Sequence, residues 1–424
     1  MNYIIKRTEK FDIEKIPGWI LIYGRRKVGK TFLVRNFIPH DRYYFVRRDL
    51  TIVSDGERLR YLDFLVQVAE LLKSDATVVV DEFQRLPLNF MDEISLLHPR
   101  GRLILLGSSL RIVHRVFSPR SPLLGIVSTY RLDLLRPTDI LVYLARRLGP
   151  GNAMEISPLM VEPWLLKYVD LFNGDAARLA YNIIEHNIYA IRSLVGEVFS
   201  EEARELTARY EAIISAVASG LWRVKEIAYV LFNKGLIERP DTGLVRQYIH
   251  NLVEIGLLES IPIANRREKY IKIKSPIIDL YYYLDDKYNI EEEGLPSFSE
   301  VEDTVRSRLG FHVQDFVGRL YSQIMEAKIN IYLSSDLEID FILTRRRKIL
   351  AIAEVKWRSN ISRRDLKTFA SRTSSIPAKL KLFISKVPVE GCREVVVKTP
   401  QELVEDAEEW IKGKYPDSDL CPMT

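Results

Sequence analysis

Trp19-Ile-Leu-Ile-Tyr-Gly-Arg-Arg-Lys-Val-Gly-Lys-Thr31 is the stretch that decides the fold. Its first five residues form an apolar run of the length of a buried parallel strand. The residues that follow, Thr31-Phe-Leu-Val-Arg-Asn-Phe37, carry apolar side chains at helical spacing. Between strand and helix stands Gly24-Arg25-Arg26-Lys27-Val28-Gly29-Lys30-Thr31, which meets the pattern G-x-x-x-x-G-K-[ST] at every fixed position. Glycines at 24 and 29 let the backbone turn its N–H groups inward around a phosphate, and the helix N-terminus adds partial positive charge. Lys30 is expected to reach the β- and γ-phosphates of ATP, or the β-phosphate of ADP, and the Thr31 hydroxyl to ligate Mg²⁺.

Such a loop needs a carboxylate on a neighbouring strand. Ala76-Thr-Val-Val-Val-Asp81-Glu82 is an apolar run ending in two acids. Asp81 is placed to hold Mg²⁺, usually through water, and Glu82 to polarise the attacking water. The alternative use of acids at a strand end is to cap the next helix. A third run, Arg102-Leu-Ile-Leu-Leu-Gly107-Ser108-Ser109, brings small polar residues to the same edge, where Ser108 or Ser109 either senses the γ-phosphate or makes a plain turn.

A length of 424 residues allows two to four domains with real cores, and the 47% hydrophobic and 28% charged fractions are those of a globular chain. No apolar run approaches a membrane span, and Met-Asn-Tyr-Ile-Ile-Lys-Arg7 lacks a signal-peptide core, so a cytoplasmic protein without a membrane partner is expected. Two cysteines, Cys392 and Cys421, are too few for a disulfide framework or a four-thiolate zinc site. The net charge of +5 permits nucleic acid without requiring it.

Residues 1–137 alternate strands (near 19–23, 43–46, 77–81, 103–107 and 129–134) with helices (near 30–37, 57–73, 88–97 and 109–117), which predicts a parallel sheet covered on both faces. Residues 138–205 turn helical (Thr138–Leu148, Pro163–Phe172, Ala176–Phe199), as a lid would. In residues 206–290 the order is helix (Tyr210–Gly220), helix (Val224–Phe232), helix (Gly243–Ile255), then a hairpin of Leu257–Ile261 and Lys269–Ile273 with Asn265-Arg266-Arg267 at its tip. That order suggests a winged helix, in which Arg246, Gln247 and His250 with the Arg266–Arg267 wing contact a duplex; the alternative is a structural spacer with a solvated face.

The loop with paired arginines, the Val-Val-Val-Asp81-Glu82 strand, Gly107-Ser108-Ser109, Ser121-Pro122-Leu123-Leu124-Gly125 and the segment ending in Ile255-Gly-Leu-Leu258 together resemble the archaeal ATPase family, of the signal-transduction (STAND) branch of AAA+-related P-loop ATPases. The resemblance covers most of the first 285 residues and implies an ATPase core, a helical lid and a winged helix that moves with nucleotide state. Two positions depart from it. Ile126 stands where relatives carry an arginine after the glycine matching Gly125, and Gly174-Asp175-Ala176 where they carry Gly-x-Pro. Slow hydrolysis is the consequence, unless Arg115, Arg120 or Arg131 substitutes.

Residues 298–415 carry a second constellation. Leu337-Glu-Ile-Asp340-Phe-Ile-Leu343 alternates as a strand, Thr344–Lys348 makes a basic turn, and Ile349-Leu-Ala-Ile-Ala-Glu354-Val-Lys356 returns. Period-two alternation puts Glu354 and Lys356 on one face, with Asp340 across from them. Two carboxylates beside an ammonium are what a divalent metal and an attacking hydroxide need for phosphodiester cleavage, with Asp340 and Glu354 as metal ligands and Lys356 as the third catalytic group. The order Asp, gap, Glu-x-Lys resembles the PD-(D/E)xK nuclease superfamily, and Asp315 on the preceding helix approximates its first-helix carboxylate. The alternatives are a degenerate site that only holds DNA and a solvated strand face. Arg345–Lys348, Arg358, Arg363, Arg364, Lys367, Arg372, Lys379 and Lys381 favour a polyanion in the same region.

The expected fold class is therefore α/β: a P-loop NTPase parallel sheet with a helical lid, then a winged-helix domain and a C-terminal α/β restriction-endonuclease-like domain. ATP and DNA are the expected partners, with a homo-oligomer or a signalling partner left open.

Overall fold

The structure, a computed structural model, describes residues 3–87, 89–108, 116–199, 204–264, 266–333, 339–390 and 393–416. Ser109, Arg115, Asn265, Leu337, Glu338, Cys392 and Cys421, and with them most of the helix expected near 109–117, lie outside the described residues. The chain divides into two units, Lys6–Leu134 and Met1–Ile5 with Leu135–Thr424. No helix among the described residues is long and apolar enough to cross a membrane.

In the amino-terminal unit seven strands, β1 (Trp19–Tyr23), β2 (Arg42–Val46), β3 (Ile52–Ser54), β4 (Glu57–Leu59), β5 (Thr77–Asp81), β6 (Arg102–Gly107) and β7 (Val127–Arg131), form one sheet in the order β4-β3-β2-β5-β6-β1-β7. The five strands from β2 to β7 in that order are mutually parallel. Their apolar runs serve both faces, because alternate side chains point opposite ways. Leu21, Val78, Val80, Leu103 and Leu105 pack with Phe64, Val68 and Leu72. Ile20, Ile22, Val79, Ile104 and Leu106 pack with Leu33 and Val34. Phe64, Val68 and Leu72 recur every fourth residue on helix Tyr61–Lys73, so one stripe enters the core while Leu62 and Val66 stay exposed. Each fully buried side chain of this size contributes about 1.5–3 kcal/mol.

The helix expected over 57–73 begins later. Residues Glu57–Leu59 instead pair with β3, and β3 pairs antiparallel with β2. The cause is local: Asp55 and Gly56 both have positive φ (47° and 84°) between the paired Ser54 and Glu57, a two-residue hairpin of the Asp-Gly kind.

The carboxyl-terminal unit opens with helices Pro137–Leu148, Pro150–Met160 and Ala176–Phe199. Pro150–Met160 falls between the helical segments expected from the sequence; Pro150 occupies its first turn, where its missing N–H costs nothing. Helices Arg204–Ala218, Val224–Asn233 and Thr242–Ile255 precede an antiparallel hairpin of β8 (Leu258–Pro262) and β9 (Lys269–Ile273). A second sheet follows in the order β10 (Lys328–Asn330), β11 (Phe341–Arg345), β12 (Lys348–Lys356), β13 (Leu380–Ser385), β14 (Val396–Lys398), antiparallel up to β12 and parallel beyond.

Helix Phe298–Ile324, about 40 Å long at 1.5 Å per residue, fastens these parts together. Its Arg306 pairs with Asp175, its Arg308 with Asp279, and its Asp315 and Arg319 with Lys272 and Glu259 of the hairpin. The lid-like helices, the hairpin module and the second sheet thus belong to a single unit.

Candidate functional site

Parallel pairing brings the carboxyl ends of β1, β5 and β6 to one edge. Tyr23 is level with Gly107 and Asp81 with Leu106, so the loop after β1 and the acids after β5 flank the end of β6. Helix Lys30–Phe37 starts from Gly29 in the left-handed region, φ 90°, a conformation glycine adopts without strain. Gly24 is needed for space, since a Cβ there would stand 2.0 Å from the Leu132 carbonyl oxygen.

Thr31, in the first turn of that helix, donates its hydroxyl to Asp81 Oδ2 at 2.6 Å. The Lys30 ammonium is buried in the loop and donates to the Gly24 and Arg25 carbonyls at 2.7 and 3.0 Å. Burial lowers its pKa to about 8, against the opposing pull of Glu82 and Asp81. A phosphate in the loop would offer that ammonium a full negative charge in place of two carbonyls. Arg25 is buried as well.

Three groups converge on the Asp81 carboxylate: Thr31, the Glu82 N–H at 2.8 Å and the Tyr43 hydroxyl at 2.5 Å. Burial and the neighbouring carboxylate push the Tyr43 phenol well up. Tyr43 did not emerge from the sequence, because a tyrosine in an apolar strand carries no signal until β2 and β5 are known to be neighbours. Arg7 was missed likewise. Its guanidinium ties the Val28 carbonyl of the loop, at 2.7 Å, to the Asp133 and Leu134 carbonyls at 2.9 and 3.1 Å.

Glu82 has left-handed backbone, φ 57°. Its carboxylate accepts from Gln84 at 2.9 Å and pairs with Arg85 at 2.8 Å, while Arg85 also donates to the Val46 carbonyl at 2.7 Å. Gln84 Nε2 lies 3.4 Å from Ser108 Oγ, which links Ser108 to Glu82 through Gln84. Of the arginines that could replace the one absent at Ile126, Arg120 is exposed and Arg131 is level with Tyr23, next to the start of the loop.

A hydroxyl and a carboxylate oxygen are the hard donors Mg²⁺ takes, and one or two protein ligands suffice when phosphates and water complete the octahedron. The Thr31–Asp81 pair fits such an ion.

In the carboxyl-terminal unit, β11 and β12 run antiparallel with Phe341 opposite Ala353, and Asp340 stands just before β11. The Asp340 N–H bonds the Ala353 carbonyl at 3.1 Å, and its carboxylate accepts the Val355 N–H at 2.6 Å. Lys356 pairs with the buried Glu354 at 2.6 Å. The register irregularity between Leu343 and Thr344 lies on the turn side of the pair Phe341 and Ala353. Asp315, in contrast, is taken up by Lys272 and by Arg319 at 2.8 Å, in a cluster where burial lowers the Lys272 pKa to about 7. Arg246, Gln247 and His250 are exposed on helix Thr242–Ile255, opposite the buried Val245, Tyr248, Ile249 and Leu252.

The sequence profile of the AAA domain matches residues 17–136. An uncharacterised protein of Methanocaldococcus jannaschii is 24% identical over 408 residues, covering 85% of this chain and 87% of its own. Among solved structures, a Walker-type ATPase of Pyrococcus abyssi aligns with TM-score 0.48 and 20% identity, over 66% of this chain and 99% of that one. The ORC2 protein of Aeropyrum pernix, solved in ADPNP–ADP complexes, aligns with TM-score 0.38 and 15% identity over 74% and 97%. The stretch that matches the AAA domain contains the loop Gly24–Thr31 and the acids Asp81 and Glu82.

Proposed function

We propose that this chain is an ATP-binding, slowly hydrolysing switch of the STAND type, whose carboxyl-terminal unit is a DNA-binding, nuclease-like module. The observation that carries the reading is the Thr31–Asp81 contact beside a buried Lys30, three groups that only a nucleotide phosphate and its cation use together. Thr31 and Asp81 would hold Mg²⁺, which when bound polarises the phosphoryl oxygens. Lys30 and the loop N–H groups orient the phosphates, and Glu82 accepts the proton of the attacking water once released from Arg85. That restraint, with Ile126 in place of an arginine, supports slow turnover. Arg131 is the arginine best placed to take the missing role.

Helices Arg204–Ala218 to Thr242–Ile255 and the β8–β9 hairpin support a winged-helix reading, with the nucleotide state passed along the chain that leaves β7. Titration of ATP into Lys30→Ala and Glu82→Gln variants tests the core of the proposal. Lys30→Ala should lose binding, and Glu82→Gln should bind normally without turnover; wild-type affinity in Lys30→Ala overturns the assignment.

A second reading has one observation in its favour. Asp340 is engaged by the Val355 N–H and Glu354 by Lys356, so the pair of carboxylates is internally satisfied, as in a module that holds DNA without cutting it. Mg²⁺- or Mn²⁺-dependent plasmid cleavage that disappears in Asp340→Ala decides for the nuclease; absence of cleavage decides for the holder.

A further inference from the structure

A cleft of about 1140 Å³ opens beside the β11–β12 turn, at the opposite end of those strands from Asp340 and Glu354. Its rim carries Arg266, Lys328, Arg345, Arg346 and Arg347, and the one carboxylate lining it among the described residues, Glu326, is paired with Lys414 at 2.7 Å. Its floor is apolar, with Ile263, Ile342, Ile376 and Pro377 around Tyr332. The hairpin tip is fixed on this cleft by backbone pairing. Ala264 N–H bonds the Ile331 carbonyl at 2.8 Å, Ile331 N–H bonds the Pro262 carbonyl at 3.0 Å, and Arg266 donates to the Leu333 carbonyl at 3.2 Å. The supposed wing therefore does not stand free; it forms one wall of the cleft.

The turn itself is informative. Arg346 and Arg347 both have positive φ, 47° and 66°, between the paired Arg345 and Lys348. Two-residue turns of this form favour Asn-Gly or Asp-Gly, as at Asp55-Gly56 in this same chain, because branched or long side chains strain the left-handed region. In place of the usual small residues, the turn presents two arginine side chains to the cleft. Among the described residues neither makes an ion pair, and both are exposed on the rim.

We propose that this cleft binds single-stranded nucleic acid, with phosphates on the arginine rim and an unstacked base against Tyr332 and the apolar floor. A duplex satisfies the rim and leaves the floor empty, because its bases are stacked inside; a single strand satisfies both. The inference rests on the reading that the carboxyl-terminal unit holds nucleic acid, and it places that contact away from the acidic cluster.

The test is fluorescence anisotropy of the full chain with a labelled deoxythymidine oligomer and with a duplex of equal length, over a series of salt concentrations. The single strand should bind at least about tenfold more tightly than the duplex. Arg346→Asn with Arg347→Gly should raise the unfolding temperature, since it relieves the turn, yet weaken binding and flatten the salt slope by about 1.4, two contacts at about 0.7 each. Tyr332→Ala should weaken binding about tenfold at unchanged salt slope. Equal affinity for duplex, or wild-type affinity in both variants, overturns the cleft while leaving DNA binding elsewhere intact. Failure of the wild-type chain to bind either probe overturns the inference together with the reading beneath it.

Discussion

Arg85→Met should accelerate ATP hydrolysis. Arg85 pairs with Glu82 at 2.8 Å, with side chains 20% and 18% exposed, and its other contacts are to the Val46 carbonyl and the Phe45 ring. A carboxylate oxygen held by a guanidinium is not free to accept from a water, and the pair must be broken before water can be activated. A pair this exposed to solvent holds about 1 kcal/mol, and Gln84 continues to hold one Glu82 oxygen after the substitution. Removing 1 kcal/mol from the barrier raises kcat about fivefold. ATP affinity should not change, because none of the contacts named for Arg85 involves the loop. The assay is phosphate release at saturating Mg²⁺–ATP, beside equilibrium ATP titration, with Glu82→Gln as the blank. A kcat that falls at wild-type affinity refutes the reasoning, since Arg85 would then be supporting the transition state.

Gly24→Ala puts a Cβ 2.0 Å from the Leu132 carbonyl oxygen, so the loop must shift; ATP affinity should fall at least about tenfold, which titration reads directly. The Lys30 pKa is lowered to about 8 in the free protein, and a bound phosphate restores the ammonium. Binding then takes up a proton above pH 8, so ATP affinity should be flat below about pH 7 and fall by up to about tenfold per pH unit from 8 toward 10.5. A flat profile to pH 9.5 contradicts this. His312 is buried, and burial lowers its pKa to about 4 against the pull of Asp279, so the folded state holds it neutral. The unfolded chain protonates it near its ordinary value of about 6.5, so stability is lost as pH falls between those values, on the order of 2–3 kcal/mol. Urea denaturation from pH 6.5 to 4 should show a shallower pH dependence in His312→Gln than in the wild type; equal slopes refute the assignment.

The nucleotide loop was legible because it is a contiguous motif: eight residues carry the turn, the charge and the helix start, and no distant segment is needed to recognise them. Strand–helix alternation was legible for the same reason, since apolar periodicity is local, and the basic turn joins β11 to β12 as a pairing of neighbours in sequence. What tertiary structure alone decided involves residues far apart in the chain. Tyr43 meets Asp81 only because β2 and β5 are adjacent, and Arg7 braces Val28 against Asp133 and Leu134 across more than a hundred residues. Asp315 resembled a metal ligand by its place on a helix, yet Lys272 and Arg319 claim it, because a half-buried carboxylate takes the nearest cations, and the nearest are set by packing. The cleft walled by Arg266 and Arg346 has no counterpart in the sequence pattern, because its two walls come from segments about eighty residues apart whose pairing at Ile263 and Ile331 follows only from how helix Phe298–Ile324 positions them.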